Sequence, residues 1–485
     1  MQASVATLSS FNLADRARRA LLERGFVPDF SPEVAAEINR IRSSGLPAVE
    51  DYTKLFWSSI DNEDSRDLDQ IEYAERAPDD SIRLLVGLAD VATSVRPGGP
   101  IDRHAHQNTV SLYTPGHIFP LLPPQLSTGM TSLLPDQPRL AVIVEMLIVE
   151  DGEIHNSKIY PALVQNQAKL AYESVGEFLE GRNNSPQFGS AELREQITLQ
   201  LEAARRLITL RHKMGALTFS SNEAQPVTRD GEVVDLKLVT PNRARDLIES
   251  FMIAANVATA TFLKSRGFPI LERVVDAPRR WDRICQIAAQ FGLKLPDQPA
   301  PKPLSDFLAA RRVADPQHFR DLSLTVLKLL GPGEYRVEYP NGPQSGHFGL
   351  ALDDYSHSTA PNRRFADIVL QRLLFAAFQN SALPYSNSEL EEIAAHCTER
   401  EDAARKVERL MRKVAAAYIM RDRIGQTFSA IVTGASPKGT YVRLQAPPVE
   451  GRIIRGEGSL DVGDRINVRL LSVDPECGFI DFARV

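Results

Sequence analysis

A short acidic stretch, SIDNEDSRDLDQIEYAE, constrains the fold of this chain more than any other feature. Its closely spaced aspartates are Asp61, Asp64, Asp67 and Asp69. Carboxylates packed this tightly repel one another, so a fold that buries them needs a compensating cation. Mg²⁺ or Mn²⁺ would serve, because hard ions take oxygen ligands and keep several waters. The alternation around Leu68 predicts that Asp67 and Asp69 point to one side while Leu68 enters the core. On this pattern alone, a solvated acidic loop remains the alternative.

The bulk composition is typical of a globular protein with more than one domain. The chain has 485 residues, of which 43% are hydrophobic and 24% charged, and no apolar run approaches the length of a membrane span. The N-terminus has no charged region followed by an apolar core, so we expect a cytoplasmic protein. The three scattered cysteines predict neither zinc nor disulfides. A net charge of -6 argues weakly against nucleic-acid binding, although a channel can be basic within an acidic exterior.

Two short amphipathic helices are predicted near the N-terminus. Asn12 caps the first, which ends near Gly25. Ser31 followed by Pro32 begins the second, which ends near Gly45. Arginines on both helices permit a helix-turn-helix that binds nucleic acid. A module that only packs against the rest of the protein explains the same pattern equally well.

The rest of the chain alternates between strands and helices before its character changes. A strand is predicted over 82–95, and Asp151-Gly152 joins strands at 140–149 and 154–164 in a hairpin. Helical periodicity predicts helices at 191–214, 242–264, 281–291, 304–312 and 389–423. From 428 to 485, short alternating segments punctuated by glycines predict a small all-β domain. The fold class is therefore α+β.

Seven motifs, in order between residues 57 and 423, resemble the catalytic domain of the ribonuclease II and ribonuclease R family. They are the acidic stretch from Ser59, LLVGLADVATSVRPGGPID from Leu84, SLYTPGHIFPLLPPQLS from Ser111, RLAVIVEM from Arg139, GALTF from Gly215, LIESFMIAAN from Leu247 and HFGLALDDYSHSTAPNRRFADIVLQRLL from His347. SPKGTYVRL from Ser436 and DVGDRINVRLLSVDPECGFIDF from Asp461 then resemble a ribosomal S1-type barrel. Each motif alone is weak, but seven in sequence are specific.

The resemblance implies three parts. They are an N-terminal helical, helix-turn-helix-like module (1–56), an RNB-type catalytic domain with a mixed sheet packed with helices (57–424), and an S1-type OB-fold (425–485). Family members usually carry two cold-shock barrels ahead of the catalytic domain, and the helical module stands in their place here. The route by which RNA reaches the site is therefore expected to differ.

The implied activity is processive hydrolysis of single-stranded RNA from its 3′ end to nucleoside 5′-monophosphates. Mg²⁺ is the expected cofactor, with Mn²⁺ able to replace it. The expected partner is single-stranded RNA, with no membrane, and a monomer is the default expectation. The N-terminal module is available to contact RNA or another nucleic acid. Two alternatives stay open: a catalytically weakened relative that binds RNA, and a DNA-binding regulator that acts through the N-terminal helices.

The resemblance also assigns catalytic roles. Asp61, Asp67 and Asp69 correspond to metal-binding aspartates of the family. Arg363 corresponds to the arginine that the family places on the scissile phosphate, and its planar fork can hold two phosphate oxygens at once. Together these residues would bind the metal and the phosphate at which cleavage occurs.

The position after Asp69 departs from the family pattern. It is commonly another metal-binding aspartate but is Gln70 here. An amide oxygen can ligate a hard cation without supplying charge, so Gln70 is a candidate ligand. Either Glu72, Asp64 or a water compensates, or activity is reduced.

Further residues are expected to contact RNA. Tyr113 and Phe219 match the aromatic pair that clamps bases near the 3′ end, since stacking accepts any sequence. Glu249 matches an acidic residue that contacts ribose, where the 2′-hydroxyl distinguishes RNA from DNA. On the barrel, Tyr441 is the preferred exposed stacking residue, with Lys438 as a source of charge. Read without the family, Phe219 is a core residue and Glu249 a helix-surface carboxylate.

Three polar side chains near Arg363 receive structural interpretations. Arg364 fits a salt bridge better than Arg363 does. His347 and His357 are expected to be hydrogen-bonded parts of the framework.

Overall fold

The computed structural model combines an α+β body with a C-terminal barrel. The described residues are 11–43, 45–182, 188–219, 224–229, 232–238, 242–316, 318–340, 342–343, 345–436, 439–458 and 460–485. Their helices are α1 (Leu13–Leu22), α2 (Pro32–Ser43), α3 (Pro100–Asn108), α4 (Tyr172–Leu179), α5 (Ala191–Met214), α6 (Arg243–Ser265), α7 (Trp281–Gln290), α8 (Pro301–Ala314), α9 (Phe319–Leu330), α10 (Phe365–Phe378) and α11 (Asn387–Met420). Their strands are β1 (Glu50–Asp51), β2 (Trp57–Asp61), β3 (Gln70–Arg76), β4 (Ile82–Ala89), β5 (Leu112–Thr114), β6 (His117–Phe119), β7 (Pro138–Ile148), β8 (Ile154–Ala171), β9 (Ala224–Arg229), β10 (Glu232–Leu238), β11 (Ile270–Val274), β12 (Glu334–Glu338), β13 (Thr427–Ser436), β14 (Gly439–Leu444), β15 (Glu450–Arg455), β16 (Arg465–Asp474) and β17 (Phe479–Arg484).

A mixed sheet in the order β1-β8-β2-β3-β4-β7 forms the centre of the body. The long strand β8 pairs antiparallel with β7 and then in parallel with β2, so β8, β2, β3, β4 and β7 close on themselves. Apart from partly exposed Arg83, the residues of β4 are buried on both faces, and the strand IRLLVGLA is accordingly apolar from Leu84 onwards. The expected mixed sheet packed with helices is therefore confirmed.

The acidic stretch lies at one end of this sheet. β2 ends at Asp61 and β3 begins at Gln70, which pairs with Leu88 near the end of β4. Ala89 in turn pairs with Ala141, near the start of β7. The connection between β2 and β3 therefore projects from the end of the sheet where the termini of four neighbouring strands, β2, β3, β4 and β7, lie side by side.

Helices α5, α6 and α10 supply much of the apolar core that covers the sheet. Among the described residues, α6 alone has the length and hydropathy of a membrane span. However, 67% of its most apolar window is buried inside the fold. It is therefore the core helix of this body.

Local capping signals fix the helix ends. Ser190 accepts a hydrogen bond from the N–H of Leu193, and α5 then occupies the predicted range. It stops at Gly215, whose φ of 104° is left-handed and where a Cβ would lie 2.6 Å from the backbone of Lys302. α11 begins with a reciprocal capping box between Ser386 and its third residue, Glu389.

The predicted strand over 82–95 is too long. β4 ends at Ala89, and the carboxylate of Asp90 then accepts hydrogen bonds from the N–H and hydroxyl of Thr93 at 3.0 and 2.7 Å. This side chain turns the backbone, so the apolar residues that follow belong to a loop. A further helix, α3, starts with Pro100 at its first turn and is absent from the sequence-based prediction.

The two N-terminal helices are confirmed, and each packs on a different part of the body. Ala17, Ala20 and Leu21 of α1 share an apolar cluster with Val407 and Met411 of α11. Val34 and Ile38 of α2 belong instead to the central core. This arrangement favours the interpretation as a packing module over a nucleic-acid-binding helix-turn-helix.

The C-terminal strands form a closed barrel in the order β13-β14-β15-β17-β16. Its core includes Val432, Val442 and Phe482, and Ala417 and Met420 at the end of α11 pack against it. The predicted all-β domain is thus confirmed as a five-stranded barrel. Lys438 lies outside the described residues.

Candidate active site

The loop that carries the aspartates is held by hydrogen bonds to a neighbouring segment. The hydroxyl of Ser132 accepts from the N–H of Leu68 at 2.9 Å and donates to the carbonyl of Arg66 at 2.7 Å. The N–H of Leu133 donates to the carbonyl of Leu68 at 3.0 Å. Leu68 is 1% exposed, as its alternation with the aspartates predicts. The acidic stretch is therefore an ordered part of the fold.

Asp69 is the most enclosed of the predicted aspartates, with 1% of its surface exposed. Its Oδ1 accepts from the N–H of Asn362 at 2.9 Å, and its Oδ2 lies 3.0 Å from Nε of Arg363. Burial raises the pKa of Asp69 to about 7, although Arg363 and the N–H of Asn362 oppose this effect. The contact with Nε of Arg363 is an ion pair without hydrogen-bond geometry, so Oδ2 has no hydrogen bond among the described residues.

The structure gathers the other two aspartates around the same arginine. Burial raises the pKa of half-buried Asp61, and Asp67 adds to that rise while Arg363 opposes it. Burial lowers the pKa of Arg363, but the combined charges of Asp69, Asp61 and Asp67, with Tyr113, raise it overall. Asp61, Asp67, Asp69 and Arg363 thus form one electrostatic cluster. Since 42% of the arginine side chain is exposed, it remains accessible to a ligand.

Tyr113 lies beside this cluster, on the β5–β6 hairpin. Its hydroxyl donates a hydrogen bond to Oδ2 of Asp67 at 2.9 Å, and its N–H donates to Glu408 of α11 at 3.2 Å. The residue is 40% exposed and, with Asp67, lines a cavity of about 500 Å³. One side of this aromatic ring is therefore linked to the acidic cluster while the residue stays open to the cavity.

Gln70 and Glu72 follow on β3, and both are buried. Gln70 is 4% exposed and Glu72 fully buried. Both carboxylate oxygens of Glu72 lack a hydrogen-bond partner among the described residues. Burial raises the pKa of Glu72 well above its usual range, and the charge of Asp61 adds to the rise. Glu72 is one of the residues expected from the sequence to compensate for Gln70, and the structure adds that it is fully buried.

The donor set fits a hard divalent cation. Asp61, Asp67 and Asp69 supply carboxylates, which such ions prefer. Two buried carboxylate groups, those of Asp69 and Glu72, contain oxygens without hydrogen bonds in the described part of the chain. Burying carboxylate oxygens without hydrogen bonds is costly, so a cation at this position would offset that cost.

The side chains predicted to be structural are bonded into the framework. Arg364 donates from Nε and Nη2 to Asp367 at 2.9 and 2.7 Å. Nδ1 of His347 accepts from the N–H of Leu350 at 3.1 Å, and burial lowers the pKa of His347 to about 4. Nδ1 of His357 lies 2.8 Å from the hydroxyl of Tyr335.

The remaining predicted RNA contacts of the body lie on other elements. Phe219 is partly buried and packs against the cluster built by α7, α8 and α9, which contains Trp281 and Phe307. Glu249 is exposed on α6, where partial desolvation raises its pKa and Arg211 opposes the rise. The structure thus brings Tyr113 into contact with the acidic cluster, whereas Phe219 and Glu249 lie on elements outside it.

Tyr441 lies in a basic cavity between the barrel and α11. The cavity is about 560 Å³ in volume, and Tyr441 is 43% exposed. Its basic lining side chains are Arg409, Arg412, Lys413, Arg443 and Arg452. Basic groups beside an exposed aromatic ring are typical of surfaces that bind single-stranded nucleic acid. Glu450 and Asp481 also line the cavity, so its five basic side chains outnumber two acidic ones, a local excess that the net charge of the chain does not show.

A second acidic group lies away from the β2–β3 loop. It comprises Glu272 of β11, Glu338 of β12 and Asp354, whose ligand atoms lie within 4.8 Å of one another. Lys264 already binds Glu338 at 2.7 Å and also contacts Asp354. Because this lysine supplies a cation, the group resembles a buried charge network more than a metal centre.

Comparison with known families matches most of the chain. The family model described as RNB domain matches residues 49–380. The model described as RNase II-type exonuclease C-terminal S1 domain matches residues 426–485. The two matches coincide with the sheet that carries the acidic cluster and with the barrel that carries Tyr441.

Curated relatives agree with these matches. Ribonuclease R of Escherichia coli (strain K12) is 30% identical over 494 residues, covering 93% of this chain and 58% of the relative. Ribonuclease R of Thermotoga maritima is 31% identical over 448 residues, covering 88% and 61%. The chain therefore spans about three fifths of the length of these relatives.

Solved structures share the fold at lower identity. The apo form of Mycoplasma genitalium RNase R superposes with a TM-score of 0.85 at 21% identity, covering 98% of this chain and 78% of that one. The same protein in complex with double-stranded RNA gives equal values for TM-score and identity. Yeast Ssd1, a pseudonuclease, gives a TM-score of 0.71 at 15% identity, covering 91% and 56%. The fold is thus shared by an RNase R and by a pseudonuclease.

Proposed function

Because this chain belongs to the RNB-domain family, we propose that it is a hydrolytic exoribonuclease that degrades single-stranded RNA processively from the 3′ end to nucleoside 5′-monophosphates. The observation that carries the proposal is the position of Arg363, 3.0 Å from buried Asp69 and in the field of Asp61 and Asp67. Carboxylates for a cation and a guanidinium for a phosphate meet there. The weakened relative and the DNA-binding regulator are not favoured by the ribonuclease R relatives.

The chain's own residues prepare the phosphate for attack. The N–H of Asn362 and the guanidinium of Arg363 hold Asp69 in place, and the exposed part of Arg363 would bind the scissile phosphate. The hydroxyl of Tyr113 orients Asp67. A divalent cation bound by Asp61, Asp67, Asp69 and the candidate ligand Gln70, Mg²⁺ or in its place Mn²⁺, would supply an activated water and neutralise charge on the departing oxygen.

RNA would reach this site from the barrel. The basic cavity at Tyr441 would bind the strand by stacking and charge, and Tyr113 with Phe219 would clamp bases near the 3′ end. Glu249 would contact a ribose hydroxyl, which would favour RNA over DNA. A channel built on backbone charge and stacking suits an enzyme that must accept any sequence.

The organisation that accompanies this activity is also a proposal. The boundaries are 1–56 for the helical module, 57–424 for the catalytic domain and 425–485 for the S1-type barrel. The helical module lines a cavity of about 630 Å³ with Arg40 and Arg42, opposite Arg96 and Arg139 of the body. These arginines support a nucleic-acid contact there. We further propose a cytoplasmic monomer.

A denaturing gel with 5′-labelled single-stranded RNA tests the activity. Wild type would be compared with Asp69→Asn and with Asp151→Asn, an exposed carboxylate in the β7–β8 turn at the far end of the sheet. With Mg²⁺ or Mn²⁺, wild type and Asp151→Asn should collapse the RNA to one short end product, whereas EDTA or Asp69→Asn should prevent this. RNA that stays intact but bound in every lane would instead identify a protein that has kept the channel and lost the chemistry.

A further inference from the structure

We propose that Glu72 is a ligand of the divalent cation, supplying the carboxylate that position 70 does not. This inference rests on the proposed function, because it concerns the metal of the same site. It assigns a catalytic role to a residue on the central sheet instead of the β2–β3 loop. Its basis is the position of Glu72, its burial and the absence of a partner for its charge among the described residues.

The alternation of β3 places Glu72 on the same face as Gln70. Successive side chains of a strand point to opposite faces, so residues 70, 72 and 74 share one face. Ala74 belongs to the central core with Ile60, whereas Ile71 belongs to the cluster on the other face. Glu72 therefore lies one step further from the sheet edge than Gln70, and its side chain is one methylene longer than that of an aspartate.

Glu72 lies close enough to Asp61 for the charge of Asp61 to raise the pKa of the Glu72 carboxyl. Glu72 pairs with Ser58 of β2, and Asp61 ends the same strand. Asp61 pairs with Ala171 of β8, which directly precedes Tyr172. Burial, then the charges of Asp61 and Glu72, raise the pKa of Tyr172. Both carboxylates therefore act on one tyrosine at the end of β8, next to the acidic loop.

Two other buried carboxylates, Asp367 and Asp102, have basic partners that explain their burial. Asp367 binds Arg364 at 2.7 Å, and Asp102 binds Arg372 at 2.6 Å. Within the described residues, Glu72 has neither a hydrogen bond nor a basic group that lowers its pKa, and the charged residue that acts on it is the like-charged Asp61. A buried carboxylate in this position needs a compensating cation, and the adjacent aspartates offer the oxygen ligands that a divalent cation prefers.

The competing interpretation is a protonated Glu72 that never binds metal. In that case Glu72 would donate its proton to an acceptor within the core. By register the nearest acceptor is Ser58, its buried strand partner. The hydroxyl of Ser58 lacks a hydrogen bond in the described part of the chain. The two interpretations differ in the expected effect of replacing Glu72 by glutamine. If Glu72 is a ligand, the replacement lowers the affinity for the ion. If Glu72 is protonated and binds no metal, the replacement leaves that affinity unchanged.

Titration of Mn²⁺ into RNA-free protein, followed by electron paramagnetic resonance of the free ion, decides between them. Glu72→Gln keeps the shape of the side chain and removes its charge. We expect Mn²⁺ affinity to fall by at least about tenfold, the lower end of the loss seen when a metal's supporting residues are changed. Glu63→Gln, on the exposed part of the same loop, should bind as wild type does. The double variant Gln70→Asp/Glu72→Gln should recover affinity, because it restores a carboxylate on the same face.

Each outcome separates this inference from the proposed function. If Asp69→Asn loses Mn²⁺ while Glu72→Gln binds within twofold of wild type, Glu72 is not a ligand and the exoribonuclease site stands. If neither variant changes Mn²⁺ binding, both proposals are wrong about the metal. Should Glu72→Gln fail to fold, Glu72→Asp replaces it in the titration, since it retracts the carboxylate and should also weaken binding. A Glu72→Asp variant with wild-type affinity would overturn the inference.

Discussion

The Nε atom of Arg363 lies 3.0 Å from Oδ2 of Asp69, which is almost completely buried, while 42% of the arginine side chain is exposed. One end of the guanidinium group is thus anchored on the protein, while part of the side chain remains exposed. Asp69 itself is fixed by the N–H of Asn362. A phosphate arriving at this arginine would therefore meet a group whose position is already set.

Replacing Arg363 by lysine should abolish most of the activity without unfolding the protein. Lysine keeps the charge but loses the planar fork, so we expect kcat to fall by about 10²- to 10³-fold, the cost of removing one positioned donor. Arg364→Lys is the matched control, because its two bonds to Asp367 are structural. It should instead lower the free energy of unfolding, by about 1 to 3 kcal/mol. Single-turnover kinetics and urea unfolding of both variants measure this, and equal kinetic losses would contradict it.

The hydroxyl and the ring of Tyr113 should have separate functions. Tyr113→Phe removes only the hydroxyl that binds Asp67, so kcat should fall, by about tenfold for a group that supports a metal ligand, with little change in RNA affinity. Tyr113→Ala also removes the ring and should weaken RNA binding by about 1 to 3 kcal/mol. Binding of single-stranded RNA in EDTA and turnover in Mg²⁺ measure the two effects. If both variants bind RNA equally, Tyr113 does not stack on bases.

The barrel should act in binding and leave the chemistry unchanged. Tyr441→Ala removes the exposed ring of the basic cavity and should weaken single-stranded RNA binding by about 1 to 3 kcal/mol. Ile454→Ala is the control, since Ile454 is a similarly exposed barrel residue that does not line this cavity. Fluorescence anisotropy with labelled RNA measures the affinity. An equal loss in both variants would indicate damage to the barrel.

Glu272 should make the stability of the protein fall as pH rises. Burial, with the nearby charge of Glu338, raises the pKa of Glu272 to about 7. A raised carboxyl pKa means that the folded state holds a proton that the unfolded state releases near pH 4.5. The stabilisation is therefore complete below that pH and disappears as pH rises through about 7. Urea unfolding between about pH 5 and pH 8 should show a loss of about 2 to 3 kcal/mol in wild type relative to Glu272→Gln. Parallel curves for the two proteins would be incompatible with a raised pKa.

The helical module should be part of the folding unit. Leu21 of α1 is 1% exposed and packs with Val407 and Met411 of α11, so Leu21→Ala should cost about 2 to 5 kcal/mol of unfolding free energy. Leu22, its neighbour, is 53% exposed, and Leu22→Ala should cost little. Denaturant unfolding of the two variants provides the comparison. Equal stability of the two would mean that α1 is dispensable.

Local signals make much of the fold readable from the sequence. The bounds of α5 follow from Ser190 and Gly215, which cap its two ends, and Leu68 is buried as its alternation predicts. The strand that begins at Ile82 is predicted too long, because hydrophobicity continues past Asp90, where a side-chain hydrogen bond turns the chain.

Contacts between distant segments cannot be read in this way. The residues near Asp69 in the sequence do not indicate that the N–H of Asn362 donates a hydrogen bond to it. Those near Asp67 do not indicate that the hydroxyl of Tyr113 donates to that carboxylate. The family motifs supply these residues, but only tertiary structure joins them. The reverse holds for Phe219, whose motif suggests the RNA channel and whose ring packs with an apolar cluster. Glu72 is visible as a charge in the sequence, and only its complete burial makes it significant.

α11 has a mechanical consequence for this molecule. One uninterrupted helix contacts α1, the β5–β6 hairpin and strands of the barrel. Glu408, which accepts from the N–H of Tyr113, is only five residues from Lys413 of the basic cavity, or about 7.5 Å along the helix axis. A continuous helix moves as a rigid rod. Force on RNA bound at the barrel would therefore displace Tyr113, which contacts the acidic cluster, so that RNA binding at the barrel and cleavage at the acidic cluster would be mechanically coupled.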